Sequence, residues 1–386
     1  MRLLDRYVLR NFLEPFLLCF SAFLGIFLIF DLNDNLTDFI DAKAKWKQIG
    51  IYYLHQLPHF CMFSMPLGLL LALLYCLSKM SRSNEIISML GAGRSVVRVL
   101  APLMLCGVLS TGFSLWLNYE LAPQADAVRK ADIERITKGD SRAEKLNIIE
   151  DHLAKDRMTN RIWFARKMHT GESILSDAHI TQLNKDGEPI TRWYAKRAVF
   201  DQREKKWYLI QGRKVSFDKE GNLASEIEDW SHETGNRVTR TLGGWSETPY
   251  RIASSSMEAD QLTVPQLRNY LAQNADFPEA KLAAFYTNLE YRWALPITCL
   301  SVVFIAAPLG IVFSRRAVLA SVASSIFIFF GYLLLMFLML ALGKGGRVPP
   351  FVAAWLPNTL MFTVGTYLLY LRSTNRELPK LSLRRK

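Results

Sequence analysis

Six apolar runs punctuate the chain, three on either side of a polar stretch from Glu120 to Arg292. From Gln48 to Ser78 no Asp, Glu, Lys or Arg interrupts the sequence, and the same holds for Val99–Tyr119, Trp293–Ser314, Ala317–Gly343 and Val348–Leu371. A shorter run, Phe16–Phe30, opens the chain. At about 1.5 Å per helical residue, each run with its flanks reaches across a hydrocarbon layer of roughly 30 Å. The pattern predicts six transmembrane helices. Arg2, Arg6 and Arg10 precede the first run as they would a signal peptide, but Asp-Leu-Asn-Asp-Asn at 31–35 follows it in place of a small-residue cleavage site, so the helix is read as retained.

The polar stretch has its own texture. A helical lead is expected over Asn118–Ile136, with Pro123 near its start. From Arg161 onward, Ile162–Met168, Ile174–Leu183, Ile190–Phe200 and Lys206–Phe217 are rich in β-branched and aromatic residues, and turn formers separate them at Asn184–Gly187, Gln202–Lys205 and Asp218–Asn222. Strands at this spacing with no helices between them predict an antiparallel sandwich or open barrel. Thr263-Val-Pro-Gln266 is a capping box with Pro in the first turn, predicting a helix through Gln273. The expected organisation is 1–122 for spans one to three, 123–275 for the inserted segment with its β domain near 140–260, 276–372 for spans four to six, and a basic tail over 373–386.

Charge orients this layout. One set of span ends carries fifteen Lys and Arg, including Lys79, Arg82, Arg94, Arg98, Arg315, Arg316 and the six basic residues after Leu371; the short loops of the other set carry five, Lys43, Lys45, Lys47, Lys344 and Arg347. By the positive-inside rule both termini are cytoplasmic and the large insert is outside. The net charge of +12 is therefore read as contact with anionic lipid, not nucleic acid. All five cysteines lie in apolar runs, so the exported domain is expected to fold without disulfides.

No phosphate-binding G-x-x-x-x-G-K-[ST], H-E-x-x-H or G-x-S-x-G occurs, and nothing calls for a cofactor. Asp31, Asn33 and Asn35 begin a calcium-loop pattern, but Leu36 and Ala42 occupy its glycine and glutamate positions. His55 and His59 are four apart, yet a metal needs a further ligand and Pro58 lies between them; they are read as packing or interfacial histidines. Trp116, Tyr119, Tyr291, Trp293 and Trp355 fall near span ends, as in an interfacial belt. The loop after span two, Arg82 to Ser95, offers a short amphipathic helix with Ile86, Met89 and Leu90 on one side and Gly91 and Gly93 at its end. Such a helix either lies along lipid or docks in a groove of a cytoplasmic partner.

These residues carry a resemblance to the LptF/LptG family, the permease subunits of the lipopolysaccharide-export ABC transporter of the Gram-negative inner membrane. It runs nearly end to end: Arg6-Tyr7, Leu57-Pro58, Met65-Pro66-Leu67, Glu85 through Ser95, Glu120-x-Ala122-Pro123-Gln124, Arg292-x-x-x-Pro296, Pro308-Leu309-Gly310, Pro349-Pro350 and Trp355-x-Pro357-Asn358. The resemblance implies six spans around an extracytoplasmic β-jellyroll, a second permease of the same type, a cytoplasmic ATPase dimer, and a periplasmic bridge protein with a similar β-jellyroll. It implies that the chain itself hydrolyses nothing. Arg82, Glu85, Ile86, Met89, Leu90 and Gly93 would form the coupling element. Lipopolysaccharide would enter between the first and fifth spans, meet Arg129, Lys130, Lys43, Lys45 and Lys47 outside, and pass inward-facing strand residues such as Phe164 and Leu209. Two departures bear on this: Asp31 stands where LptG-like members carry a lysine and is expected to repel a phosphorylated head group, and Arg94 replaces an aliphatic residue. Alternative readings are a permease for another glycolipid or lipoprotein, or a membrane-anchored enzyme or sensor acting through its β domain.

Overall fold

The computed structural model describes residues 3–121, 125, 128–129, 132–133, 148–156, 159–169, 173–218, 223–232, 239–245, 247–254, 257–311 and 317–374. Lys130, Arg2, Arg315 and Arg316, most of the helical lead, the turn at 219–222 and the tail beyond 374 lie outside them. The chain forms two compact units, one of Met1–Lys130, Ala259–Arg268 and Glu279–Lys386, the other of Ala131–Glu258 and Asn269–Pro278.

The first unit is a helical bundle. Its spans are α1 (Leu3–Asp41), α2 (Trp46–Arg82), α4 (Val96–Trp116), α7 (Glu279–Gly310), α8 (Ala317–Lys344) and α9 (Pro350–Ser373), with the short α3 (Glu85–Gly91) between α2 and α4. All six spans are long and apolar enough to cross a membrane. Several helices outrun their apolar cores: α1 continues eleven residues beyond Phe30 to Asp41. The bundle is centred on α2 and α7, where Leu69, Leu73 and Leu77 on one helix and Val302, Val303, Ile305 and Ala306 on the other are fully buried. Small residues set the closest approaches. A Cβ on Gly310 would stand 2.7 Å from Leu77 Cδ1, and one on Gly365 would stand 2.8 Å from the Phe304 backbone. With no water to drive helices together, such contacts supply the packing. By contrast, α1 and α8 leave Leu17, Leu18, Ile29, Phe30, Phe327, Phe330 and Leu334 exposed, as faces turned to hydrocarbon or another apolar chain are.

The second unit holds the seven-stranded antiparallel sheet of a β-jellyroll-like domain: β1 (Ile148–Asp156), β2 (Arg161–His169), β3 (Ile174–Leu183), β4 (Pro189–Asp201), β5 (Lys206–Phe217), β6 (Leu223–Asp229) and β7 (Thr239–Leu242). The order follows the sequence to β6, and β7 pairs with β5. The second to fifth strands match the periodic segments expected; β1, β6 and β7 carry weaker signals. In the β3–β4 turn Asn184 Oδ1 accepts from the backbone N–H of Asp186 and Glu188, each at 2.8 Å, and Gly187 takes φ +90°.

Pairing is interrupted along a line crossing five strands at Asp151, Arg166, Asp177, Lys196 and Gln211. Asp151, Asp177 and Gln211 have left-handed φ of 49°, 49° and 51°. This crease breaks the period of two: β2 buries Trp163, Ala165 and Met168, β4 buries Ala195 and Ala198, and β5 buries Leu209 and Gly212. The spacing of three across the crease keeps one face inward on both sides of it. Trp163 and Trp207 pack with centroids 4.8 Å apart and rings tilted by 43° in that core, together with Ile252 and Ala253 of α5 (Pro249–Ala253). The capping box at Thr263 opens α6 (Val264–Gln273), with Gln266 Oε1 accepting from Thr263 N–H at 2.9 Å.

Candidate functional site

Three sets of side chains correspond to the sequence-derived candidates. The first surrounds α3. Asn84, at φ 59°, turns the chain out of α2, and the helix closes on a Schellman motif in which Gly93, at φ 79°, and Arg94 donate to the carbonyls of Leu90 and Met89. Gly93 supplies the turn that a β-carbon would strain. Glu85 opens the helix, and both its carboxylate oxygens are engaged: Tyr7 Oη–H donates to Oε2 at 3.0 Å and Ser83 Oγ–H to Oε1 at 2.8 Å. Arg98 Nη2, in the first turn of α4, reaches Asp5 Oδ2 at 2.9 Å. The first turns of α1 thus touch the start of α3 through Tyr7 and the start of α4 through Asp5.

The amphipathic side of α3 faces inward. Ile86 is 1% exposed, and Met89 and Leu90 pack against the same bundle core. Burial of apolar surface against the protein's own helices is why these three anchor the element and do not form an outward stripe. The accessible face is instead Ile87, 43% exposed, with Ser88, Gly91, Ala92, Gly93 and Arg94. Arg82 is exposed at the end of α2.

The second set lies in the last third of α1. Asp31 is only about one-tenth exposed, accepts from Tyr52 Oη–H at 3.0 Å, and stands 3.7 Å from Arg129 Nη2. The acid expected to repel a phosphorylated group is therefore already compensated, and Arg129 spends part of its charge on it. Gln56 ties the same region by donating to the Ala125 carbonyl at 3.1 Å. Lys43, Lys45 and Lys47 are exposed in the turn between α1 and α2 and at the start of α2. Lys130 lies outside the described residues.

The third set is on the sheet. Phe164 and Leu209 occupy opposite faces: Leu209 is fully buried in the tryptophan core, whereas Phe164 lines a groove of about 420 Å³ with Leu153, Ile162, His179, Arg192 and Tyr194. They are not two points on one path. On the Phe164 face, Leu153, Phe164, His179, Tyr194 and Arg213 form one rung across five strands. Phe164 and His179 have centroids 5.5 Å apart, His179 and Tyr194 4.8 Å, and the Arg213 guanidinium lies 4.7 Å from the Tyr194 ring. Burial pushes the His179 imidazole below its ordinary range, with Arg192, Arg166 and Arg213 acting in the same direction and Asp177 opposing.

A buried polar cluster joins the last three spans. Tyr332 Oη lies 2.7 Å from Thr298 Oγ1 and donates to Asn358 Oδ1 at 2.9 Å, while Asn358 Nδ2 donates to the Ala294 carbonyl at 2.7 Å. Asn358 inside an apolar span was the available signal, since a polar group at that depth must find partners. Trp355 also departs from a simple belt, donating to Glu290 Oε2 at 2.9 Å. His59 packs against Phe63 with centroids 5.2 Å apart, and among the described residues no group of three or more His, Cys, Asp or Glu is placed to hold a metal ion.

Comparison with known proteins agrees with this architecture. The family described as "Lipopolysaccharide export system permease LptF/LptG" matches residues 6–371. The chain is 22% identical over 381 residues to the lipopolysaccharide export system permease protein LptG of Escherichia coli strain K12, covering 96% of this chain and 98% of the relative, with the same figures for the protein of that name from Escherichia coli O6:H1.

Proposed function

This chain belongs to the LptF/LptG family and is a multi-pass inner-membrane permease of a lipopolysaccharide export system; from that premise we propose how it works. It pairs with a second permease of the family, takes its energy from a separate cytoplasmic ATPase dimer, and lifts lipopolysaccharide out of the membrane into its β domain and on to a periplasmic bridge with a similar fold. Both termini are cytoplasmic in this reading, which the distribution of Lys and Arg supports.

The observation that carries this reading is α3, a seven-residue helix seated on the bundle core by Ile86 and tied to α1 by Tyr7, while Asp5 ties α1 to α4. A rigidly seated helix with Ile87, Ser88 and Arg94 outward can pass a push from a docked motor into α1, α2 and α4. Two further features favour the route. The spans whose apolar stretches are least buried are α1 and α8, the first and fifth, which suits a lateral entrance shared with a second permease. Arg129 lies beside α1 and carries donors for charge-assisted bonds to lipid phosphates. The sheet leaves β1 at one edge and β6 and β7 at the other, where a strand of a neighbouring domain can add.

Purification of the chain from native membranes tests the reading. Co-purification of an ATPase, a second permease and lipopolysaccharide is the expected result; a lone chain free of all three would refute it.

A further inference from the structure

The attachment of α8 to its neighbours differs between its end and its middle. Phe329, Tyr332, Met336 and Gly343 recur along one side of the helix and are buried, while Phe327, Phe330 and Leu334 are exposed on the other. The C-terminal end is pinned. A Cβ on Gly343 would stand 2.5 Å from Ala353 Cβ and 2.8 Å from Thr287 Cγ2, and Lys344 Nζ donates to both carboxylate oxygens of Asp260, at 2.7 and 2.9 Å. Asp260 is itself held, because Arg292 of α7 donates to its backbone carbonyl. In the middle, α8 meets α7 and α9 through the hydroxyl of Tyr332.

The bonds around that hydroxyl are arranged so that it can leave. Asn358 Oδ1 accepts from Ser301 Oγ–H at 3.3 Å as well as from Tyr332, and the Asn358 amide nitrogen donates to the Ala294 carbonyl. With the Tyr332 proton on Asn358, the Thr298 hydroxyl is the donor across the 2.7 Å to Tyr332 Oη. The α7–α9 contact is therefore satisfied without Tyr332: Asn358 keeps Ser301 and Ala294, and Thr298 can turn to a carbonyl of its own helix. Tyr332 has a second acceptor too, Met336 Sδ, 3.5 Å away on α8 itself. Moving α8 away thus strands no polar group, in a layer where a stranded one is costly.

We propose that Tyr332 is a releasable latch: with its proton on Asn358 it holds α8 against α7 and α9, and with its proton on Met336 it lets α8 tilt about the pin at Gly343 and Lys344. It is a positioning residue, acting through α8. That the tilt serves lipid entry rests on the permease reading, whereas the latch rests on bonds within this chain.

Electron–electron distance measurements on the intact transporter in nanodiscs test it, with spin labels carried on unnatural amino acids at 327 and 367, exposed positions on α8 and α9. From Gly343 to Phe327 is sixteen residues of helix, about 24 Å, so a tilt of about 10°, within the spread among transmembrane helices, moves residue 327 by about 4 Å. Tyr332→Phe keeps the ring that packs against Phe329 with centroids 6.2 Å apart and removes the latch. One interhelical hydrogen bond in a membrane shifts an equilibrium about three- to twentyfold, and the longer-distance population should rise by that factor. Met336→Leu keeps the volume, removes the second acceptor and should lower the same population. A second pair of labels at 341 and 352, beside the pin, should not move. Opposite shifts for the two variants are the expected result, since contacts that merely stabilise the bundle would move both the same way. Shifts of one sign, an unchanged distribution in Tyr332→Phe, or equal movement of the 341–352 pair would each overturn the proposal. The distances are read on this chain alone, so opposed shifts in a chain that neither binds nor exports lipopolysaccharide would uphold the latch and count against the permease reading.

Discussion

Tyr7 donates its hydroxyl to Glu85 at 3.0 Å, joining the first turns of α1 to the first residue of α3 across 78 positions of sequence. Glu85 is thus a structural acid as well as a candidate contact for the motor. Its two oxygens face Tyr7 and Ser83, so the outward surface of α3 is presented in one orientation.

Glu85→Lys replaces two accepted hydrogen bonds with a cation and should weaken ATPase association or uncouple hydrolysis from export without blocking membrane insertion. Losing a charge-assisted contact at such an interface costs roughly 2–5 kcal/mol. Tyr7→Phe removes one exposed bond, worth about 0.5–1.5 kcal/mol, and should reduce coupling more mildly. Affinity capture of the ATPase and the ratio of ATP hydrolysed to lipid exported measure both. Full association and normal export in Glu85→Lys would remove α3 from the coupling path.

The coupling loop shows how far the sequence could be read. The helix, its ends and its glycine stop were legible in Glu85 to Gly93, because local backbone chemistry sets them. Which side faced in was not. Ile86, Met89 and Leu90 mark an apolar face equally suited to lipid, a partner or the protein's own bundle, and only the packing of α2 and α4 decides among these. The same division holds in the β domain. Strand boundaries followed from turn residues such as Asn184–Gly187, whereas the faces of Phe164 and Leu209 depended on the crease at Gln211, whose left-handed backbone no residue type announced.

At Asp31 the charge argument gives a paired prediction. Arg129→Ala should reduce co-purifying lipopolysaccharide and lipid-stimulated hydrolysis, whereas Asp31→Asn, which keeps the acceptor for Tyr52 but frees the guanidinium, should increase both. The ion pair is partly exposed at Arg129 and worth at most about 1 kcal/mol, so the changes should be a few-fold. Lipid content per purified chain, determined by mass spectrometry, checks this. Opposite signs for the two variants are the expected result, and equal losses would reduce the pair to a structural tie.

Gly212 should tolerate no side chain. It faces the core beside Trp230, and a Cβ there would sit 2.1 Å from the Tyr194 carbonyl oxygen on the neighbouring strand. The obstacle is backbone within a paired ladder, so relief requires displacing β4 or β5. Gly212→Ala should destabilise the β domain by about 1–3 kcal/mol, in the range of overpacked cores. Limited proteolysis of the domain in membranes should reveal faster cleavage between β4 and β6, with the helical bundle unchanged; wild-type resistance would count against the close approach.

The last prediction distinguishes the two faces of the sheet. Leu209 is fully buried among Trp207, Phe200 and Ala198, while Phe164 borders an open groove with arginine and aromatic neighbours. A photo-crosslinking residue at 164 should capture lipopolysaccharide during ATP-driven turnover, and one at 209 should react only within the domain. ATP dependence at 164 marks passage, because a static binding site would label equally without nucleotide. Adducts at 209 that require ATP would instead mean that the tryptophan core opens during each cycle. In that case the crease through Asp177 and Gln211 is the natural line about which the sheet would bend, since the ladder is already interrupted there. Adducts at neither position would make the domain a docking module through its edges and take it out of the lipid path.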